Sequence, residues 1–232
     1  SEILESTDYH WFEKILEDHP VADEKLFRSF VTSDEYKIIQ SGLHRGPYFT
    51  TRVDLKARAK IINDFDPHLT LVVHFDADKN DAWQTREQDV RAYIPGNVLS
   101  TEYSSREQRF ATARTLLDLP RWTQSAMLTT TVVKNLTSEI GIPLKTTETD
   151  IGGIRIVDGV YGRNLALNRQ INRGAVAYVE VLHYNFKSDY IQLANANKRA
   201  EINGIKFRYP ARLDAIVNGF KNGVLEYVDG VR

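Results

Sequence analysis

Cysteine is absent from all 232 residues, which removes disulfides, thiolate metal sites and cysteine nucleophiles together. Any transition-metal site must therefore draw on His, Asp or Glu, and the chain holds six histidines. Long apolar runs are missing too. The longest are far shorter than the roughly 20 residues a membrane-spanning helix needs, so no membrane span is expected. Neither sign of charge dominates: 30 basic and 31 acidic residues leave a net charge of −1. The uniform basic field of a nucleic-acid binder is lacking, and no nucleic-acid partner is expected. The opening SEILESTDYH has neither the basic nor the apolar stretch of a secretion signal. No G-x-S-x-G elbow occurs, so an α/β hydrolase built on a serine nucleophile ranks low. What is present is 42% hydrophobic residues with three Trp, eleven Tyr and ten Phe, enough for one sizeable core.

Hydrophobic periodicity organises that material. Residues 10–19 (HWFEKILEDH) place Trp11, Phe12, Ile15 and Leu16 at helical spacing, and 23–40 continue in helical pieces. Residues 1–50 thus read as a helical extension or insertion. In DLKARAKIINDF, Leu55, Ala59, Ile62 and Phe65 share one predicted helical face, with Asp54 as N-cap and Asp66-Pro67 as the break. LTLVVHF follows as a short β-branched run, predicting a strand covered on both faces. Residues 79–97 read as loop around the strand-like VRAYI, and 104–117 and 122–140 as helices, the second ending at Gly141. The Gly- and Thr-rich 141–162 suits a surface excursion. AVAYVEVL (175–182) is the second clear strand, SDYIQLANANKRA predicts a helix, and a last helix covers 208–220 with Pro210 in its first turn. Buried strands alternating with helices predict an α/β fold: a single layered domain over 1–232, its mixed or mostly parallel sheet flanked by helices.

Two of these strands carry chemistry. His74 stands at the end of LTLVVHF, where open α/β sheets place ligands and reactive groups; a hydrogen-bonded histidine at the edge of the core fits the same position. Asp76 and Asp78 follow it. Glu180 interrupts AVAYVEVL, where a carboxylate loses solvation unless it is paired or bound to something. Its two readings are a general acid or base tuned by burial and neighbours, or a strand-end salt bridge.

The stretch RVDLKARAKIINDFDPHLTLVVHFDAD resembles a motif of zinc-dependent N-acetylmuramoyl-L-alanine amidases, in which a helix L-x-x-R-x-x-x-A/I-N leads into a strand ending S-I-H-A-N. Leu55, Arg58 and Asn63 match the helix, Leu69 the start of the strand and His74 the histidine. GAVAYVEVLHYNFKSDYIQL resembles the family's P-A-V-L-V-E-x-G-F-x-S-N-x-x-D…L, with Glu180, Asp189 and Leu193 on the matching positions. VYGRNLALNR is similar to the segment leading into that strand, and SAMLTTTVVKNLTSEIGIP to the helix that begins S-x-x-L-A. The resemblance covers residues 50–200, with 201–232 as a C-terminal helix and tail.

The resemblance implies one zinc ion, with His74 as a metal ligand and Glu180 as the catalytic carboxylate. It implies a peptidoglycan or muropeptide substrate, hydrolysed between N-acetylmuramic acid and the L-alanine of the stem peptide. It also implies a periplasmic or extracellular location in the cell envelope. Arg163 and Asn164 are substrate-binding candidates by position. The family's D-P-G-H-G-G motif and the glutamate after it, which supply the first two ligands, have no convincing counterpart. The nearest are His10 in TDYHWFEK and Glu24 fourteen residues on. Two explanations stand: a chain that starts after the family's first strand, or a degenerate relative that binds cell-wall fragments or a protein partner without turnover. After Glu180, His183-Tyr184 replaces the usual G-F, and strand alternation predicts His183 on the opposite face from Glu180.

Overall fold

The computed structural model describes residues 55–77, 88–97, 106–150 and 152–231. The chain divides into two compact units, Ser1–Asp66 and Pro67–Arg232. Within the first, helix α1 spans Leu55–Phe65. Asp66, at a left-handed φ of 52°, ends it just before Pro67. Its buried side chains are Ala57 and Ala59, whereas Phe65 is 81% exposed. The expected Leu55/Ala59/Ile62/Phe65 face therefore holds only in part, because the helix turns its small residues inward. The Asp54 cap lies outside the described residues, as do His10, Glu24 and the N-terminal helical extension.

The second unit is built on a sheet that has six strands among the described residues, in the order β1-β6-β2-β5-β4-β3. They are β1 (Leu69–Asp76), β2 (Arg91–Asn97), β3 (Thr149–Asp150), β4 (Gly153–Val157), β5 (Val160–Arg163) and β6 (Ala175–His183). β1/β6 and β2/β5 pair in parallel; β2/β6, β4/β5 and β3/β4 pair antiparallel. The sheet is mixed, within the predicted α/β class. Helices α2 (Arg106–Leu117), α3 (Leu119–Ile140), α4 (Ala166–Gln170), α5 (Lys187–Ala194) and α6 (Ala211–Gly230) accompany it. Strands β7 (Lys198–Ile202) and β8 (Ile205–Tyr209) form a separate hairpin between α5 and α6.

Three sequence expectations are corrected here. β1 is the edge strand among the described residues, with Val73 46% exposed and only Thr70 buried, so LTLVVHF is not covered on both faces. The 141–162 stretch is no surface excursion: it supplies β3, β4 and the start of β5, with Val160 and Tyr161 fully buried. SDYIQLANANKRA is helical only to Ala194, and Lys198 onward turns into the hairpin, where β pairing with 205–209 outweighs local helix propensity.

The core lies between one sheet face and the α3/α6 pair. Val90, Ala92 and Ile94 from the β2 region meet Ala175, Ala177, Val179 and Val181 of β6, and Leu128, Val132, Val133 and Leu136 cover them from α3. Helix α3 is well delimited. Asp118 accepts from the Arg121 N–H at its start, and Gly141 closes it at φ 68° with its N–H on the Thr137 carbonyl. Helix α6 reaches α3 through two glycines. A Cβ on Gly219 would stand 2.6 Å from Leu136 Cα, and one on Gly223 2.5 Å from Val132 Cα. Both obstacles are backbone, so neither can swing aside. Gly223→Ala is expected to destabilise by about 1–3 kcal/mol through forced separation of the helices, read by urea unfolding. An unchanged midpoint would show that the helix pair adjusts freely.

Candidate functional site

Alternation along β6 divides its side chains between two roles. Ala175, Ala177, Val179 and Val181 enter the core, so Tyr178 and Glu180 point from the other face. The parallel register sets His74 against Glu180, and the antiparallel register on the other side sets Arg91 against Glu180 and Tyr93 against Tyr178. Three strands thereby bring His74, Tyr178, Glu180, Arg91 and Tyr93 to one face. His74 and Glu180 lie toward the carboxyl ends of parallel strands, the usual reactive edge of such sheets.

His74 Nδ1 lies 2.7 Å from Glu180 Oε2. With the glutamate ionised, Nδ1 carries the proton and donates it, leaving the Nε2 lone pair open. Asp76, two residues along β1, completes a group in which one ligating atom from each of His74, Asp76 and Glu180 lies within 4.8 Å of the others. The Glu180 hydrogen bond raises the His74 pKa above its usual value against the opposing effect of burial, with the charges of Glu180 and Asp76 adding to it. A cation taken up here competes with that proton.

A buried ion cluster supports the group from β2. Arg91 Nη2 donates to Asp76 Oδ2 at 2.6 Å, Nη1 to Asp89 Oδ1 at 3.4 Å, and Nε lies 3.3 Å from Asp150 Oδ2. Asp150 also accepts from the Tyr93 hydroxyl and pairs with Lys145 at 3.1 Å. Burial works against the Arg91 charge, but the negative groups around it, Asp150, Asp89 and Asp76 among them, raise its pKa overall. Burial alone would raise the Asp150 carboxyl; the Tyr93 hydrogen bond, Arg91 and Lys145 outweigh it and hold the group below the usual range. Burial pushes the Tyr178 hydroxyl up, reinforced by Glu180 and Asp76, so it stays protonated and able to donate. The Tyr178 ring centroid lies 5.6 Å from that of His74 and 6.2 Å from that of Tyr93.

The remaining sequence candidates separate. Arg163 sits with Cζ 5.5 Å from the Tyr93 ring centroid, at the far end of the aromatic row leading to His74. Asn164 is fully buried, donates to Thr112 Oγ1 at 3.0 Å and lends its carbonyl to Arg169, so it braces α2 and α4. Asp189 pairs with Arg212 at 2.6 Å and accepts from Gln88, tying α5 to α6. His183 falls opposite Asp76 after a register shift, its N–H donating to Gln88 Oε1 at 3.0 Å, and it is not part of the converging group. Arg58 is exposed on α1 and Leu193 packs against the core. Asp78 lies outside the described residues. Reading the residues one at a time missed Arg91 and Tyr178 and left Asp76 without a role. The available signal was two-residue spacing: Asp76 from His74, and Tyr178 from Glu180.

No protein-family model and no curated protein matches the chain. Similar solved structures exist. The N-acetylmuramyl-L-alanine amidase Ami1 from Mycobacterium smegmatis has 12% identity and a TM-score of 0.49, over 77% of this chain and 62% of that one. The N-acetylmuramoyl-L-alanine amidase from Clostridium difficile 630 has 15% identity and a TM-score of 0.43, over 76% and 66%. The CwlD amidase from Clostridioides difficile, in complex with the GerS lipoprotein, has 14% and 0.47, over 85% and 71%. The chain spans less than two thirds of the length of the first two. With identities and scores this low, the functional case rests on the site and the sequence motifs.

Proposed function

We propose that this chain hydrolyses the amide bond between N-acetylmuramic acid and the L-alanine of the stem peptide, in a zinc-dependent reaction in the periplasm or outside the cell. The observation that carries the reading is the 2.7 Å contact of His74 with Glu180, with Asp76 in the same converging group at a sheet edge. The two residues in contact are those on which both amidase-like motifs converge. The donor set suits zinc: an imidazole nitrogen with carboxylate oxygens, and no thiolate anywhere in the chain. His74, with Asp76 beside it, would hold the ion. Zinc bound there supplies an acidified water and a polarised carbonyl.

The chain's own groups do the rest. Glu180 uses one oxygen to orient His74 and has the other to accept a proton from water and return it to the leaving amine of L-alanine. The protonated Tyr178 hydroxyl is a donor for negative charge developing on the substrate oxygen. Arg91 holds Asp76 in place.

A second reading has its own observation. Both Asp76 oxygens are already engaged, one by Arg91 and the other by the Ala77 N–H at 2.8 Å. That favours a domain that binds cell-wall fragments without turnover. Elemental analysis after zinc loading, combined with release of stem peptide from muropeptides, decides between the two. Hydrolysis predicts about one zinc per chain, with His74→Ala cutting zinc retention at least about ten-fold and abolishing release. Muropeptide binding without zinc and without peptide release would establish the second reading.

A further inference from the structure

The β7-β8 hairpin is amphipathic in a way that neither the core nor the candidate site uses. Its register pairs Lys198 with Tyr209, Arg199 with Arg208, Ala200 with Phe207, Glu201 with Lys206 and Ile202 with Ile205. Alternation then puts Ile202, Ile205, Ala200 and Phe207 on one face and Arg199, Arg208, Lys206 and Glu201 on the other. Asn203 and Gly204, at φ 52° and 80°, form the tight turn between the strands, so the two isoleucines flank the tip.

Three features go beyond an ordinary surface ribbon. Ile202 is 59% and Ile205 69% exposed, a pair of β-branched side chains presented to water at an extremity. Arg199 and Arg208 stand directly opposite each other and both are exposed, an arrangement that costs stability unless an anion lies between them. The hairpin carries four cations against the single carboxylate of Glu201, in a chain whose overall charge is −1. Lys198 lies 3.7 Å from Asp214 of α6, which ties it to the body; among the described residues the other three have no such ion pair.

We propose that this hairpin docks on an anionic lipid bilayer, with Ile202 and Ile205 entering the headgroup–acyl boundary and Arg199, Lys206 and Arg208 pairing with lipid phosphates. Charge complementarity selects an anionic partner, and the apolar tip selects a bilayer over a soluble polyanion, because only the bilayer also covers the isoleucines. Basic residues close to an anionic membrane contribute about five-fold each to affinity, so three of them together with the tip give reversible rather than permanent attachment. Docking of this kind goes beyond the hydrolytic reading and does not depend on it.

The test is sedimentation of the full chain with vesicles of equal parts phosphatidylglycerol and phosphatidylcholine, and with vesicles of phosphatidylcholine alone. Binding to the anionic vesicles is expected to exceed binding to the neutral ones at least about ten-fold. Arg199→Gln/Arg208→Gln and Ile202→Ser/Ile205→Ser should each weaken it by a similar factor, with unchanged circular dichroism showing that the fold is intact. No binding to the anionic vesicles, or binding indifferent to both double variants, overturns the proposal. Equal affinity for soluble polyphosphate, with the isoleucine variant unimpaired, assigns the surface to a polyanion instead. A concentration-dependent dimer abolished by the isoleucine variant assigns it to a second copy of the chain. Loss of muropeptide hydrolysis with vesicle binding intact would count against the proposed function alone.

Discussion

On the proposed function, Glu180→Gln is expected to lower muropeptide turnover by about 100- to 10,000-fold, the usual contribution of a positioned general acid or base, and to leave unchanged whatever zinc the wild type binds. The substitution keeps the shape of the side chain and an oxygen able to accept the His74 Nδ1 proton across the 2.7 Å contact. What it removes is the capacity to take a proton from water near neutral pH. Glu180 is buried, so losing its charge also relieves a desolvation cost, and thermal stability should hold or rise slightly. The loss should appear in kcat rather than in KM, since proton transfer belongs to the chemical step. Turnover within about three-fold of wild type would remove Glu180 from proton transfer and leave it the task of orienting His74.

Arg91→Leu is expected to be the most damaging substitution for the fold. The guanidinium is buried and faces Asp76, Asp89 and Asp150, so its removal takes away the one cation these three carboxylates share and leaves the buried Asp150 with Lys145 alone. Breaking a buried pair from one side costs about 3–5 kcal/mol, or a fall in Tm of roughly 10 °C for a chain of this size. The pH dependence separates charge from packing. Asp150 has a depressed pKa in the folded state. Its contribution is therefore fully present above its unfolded value of about 3.9 and is lost as pH falls through the folded value. Without Arg91 that depression shrinks and the acid limb flattens. The deficit of the variant against wild type should be largest at neutral pH and should narrow below about pH 4. A deficit of the same size at both extremes would mean that Arg91 matters through its packed stem.

The elements most legible in the sequence were those whose local chemistry agreed with their surroundings. Helix α3 carries its own cap at Asp118, an early Pro120 and a terminal Gly141, and it runs where periodicity put it, three residues longer at the start. The strand at β6 was marked by β-branched and small apolar residues. The helix expected over the hairpin rested on ANANKRA, which has respectable helix formers; the signal against it was the Asn203-Gly204 pair, which joins two strands only two residues apart in sequence. β3 to β5 were hidden for a related reason: turn-forming glycines and threonines between short strands look the same as a loop until the sheet pairs them.

The sequence by itself determined the inventory and the periods: no thiol ligand, an α/β alternation, a histidine at one strand end, a carboxylate interrupting another, and a two-residue repeat that already set Tyr178 and Glu180 on one side of β6. The tertiary structure decided which strands became neighbours. Residues His74 and Glu180, 106 positions apart, meet only because β1 and β6 pair in parallel in one register, and a slip of one residue would turn one of them away. Arg91 reaches Asp76 only because β2 runs antiparallel on the other side of β6. Period fixes the face a side chain takes, since that depends on the backbone alone; partners depend on register, which is set by the packing of the whole sheet.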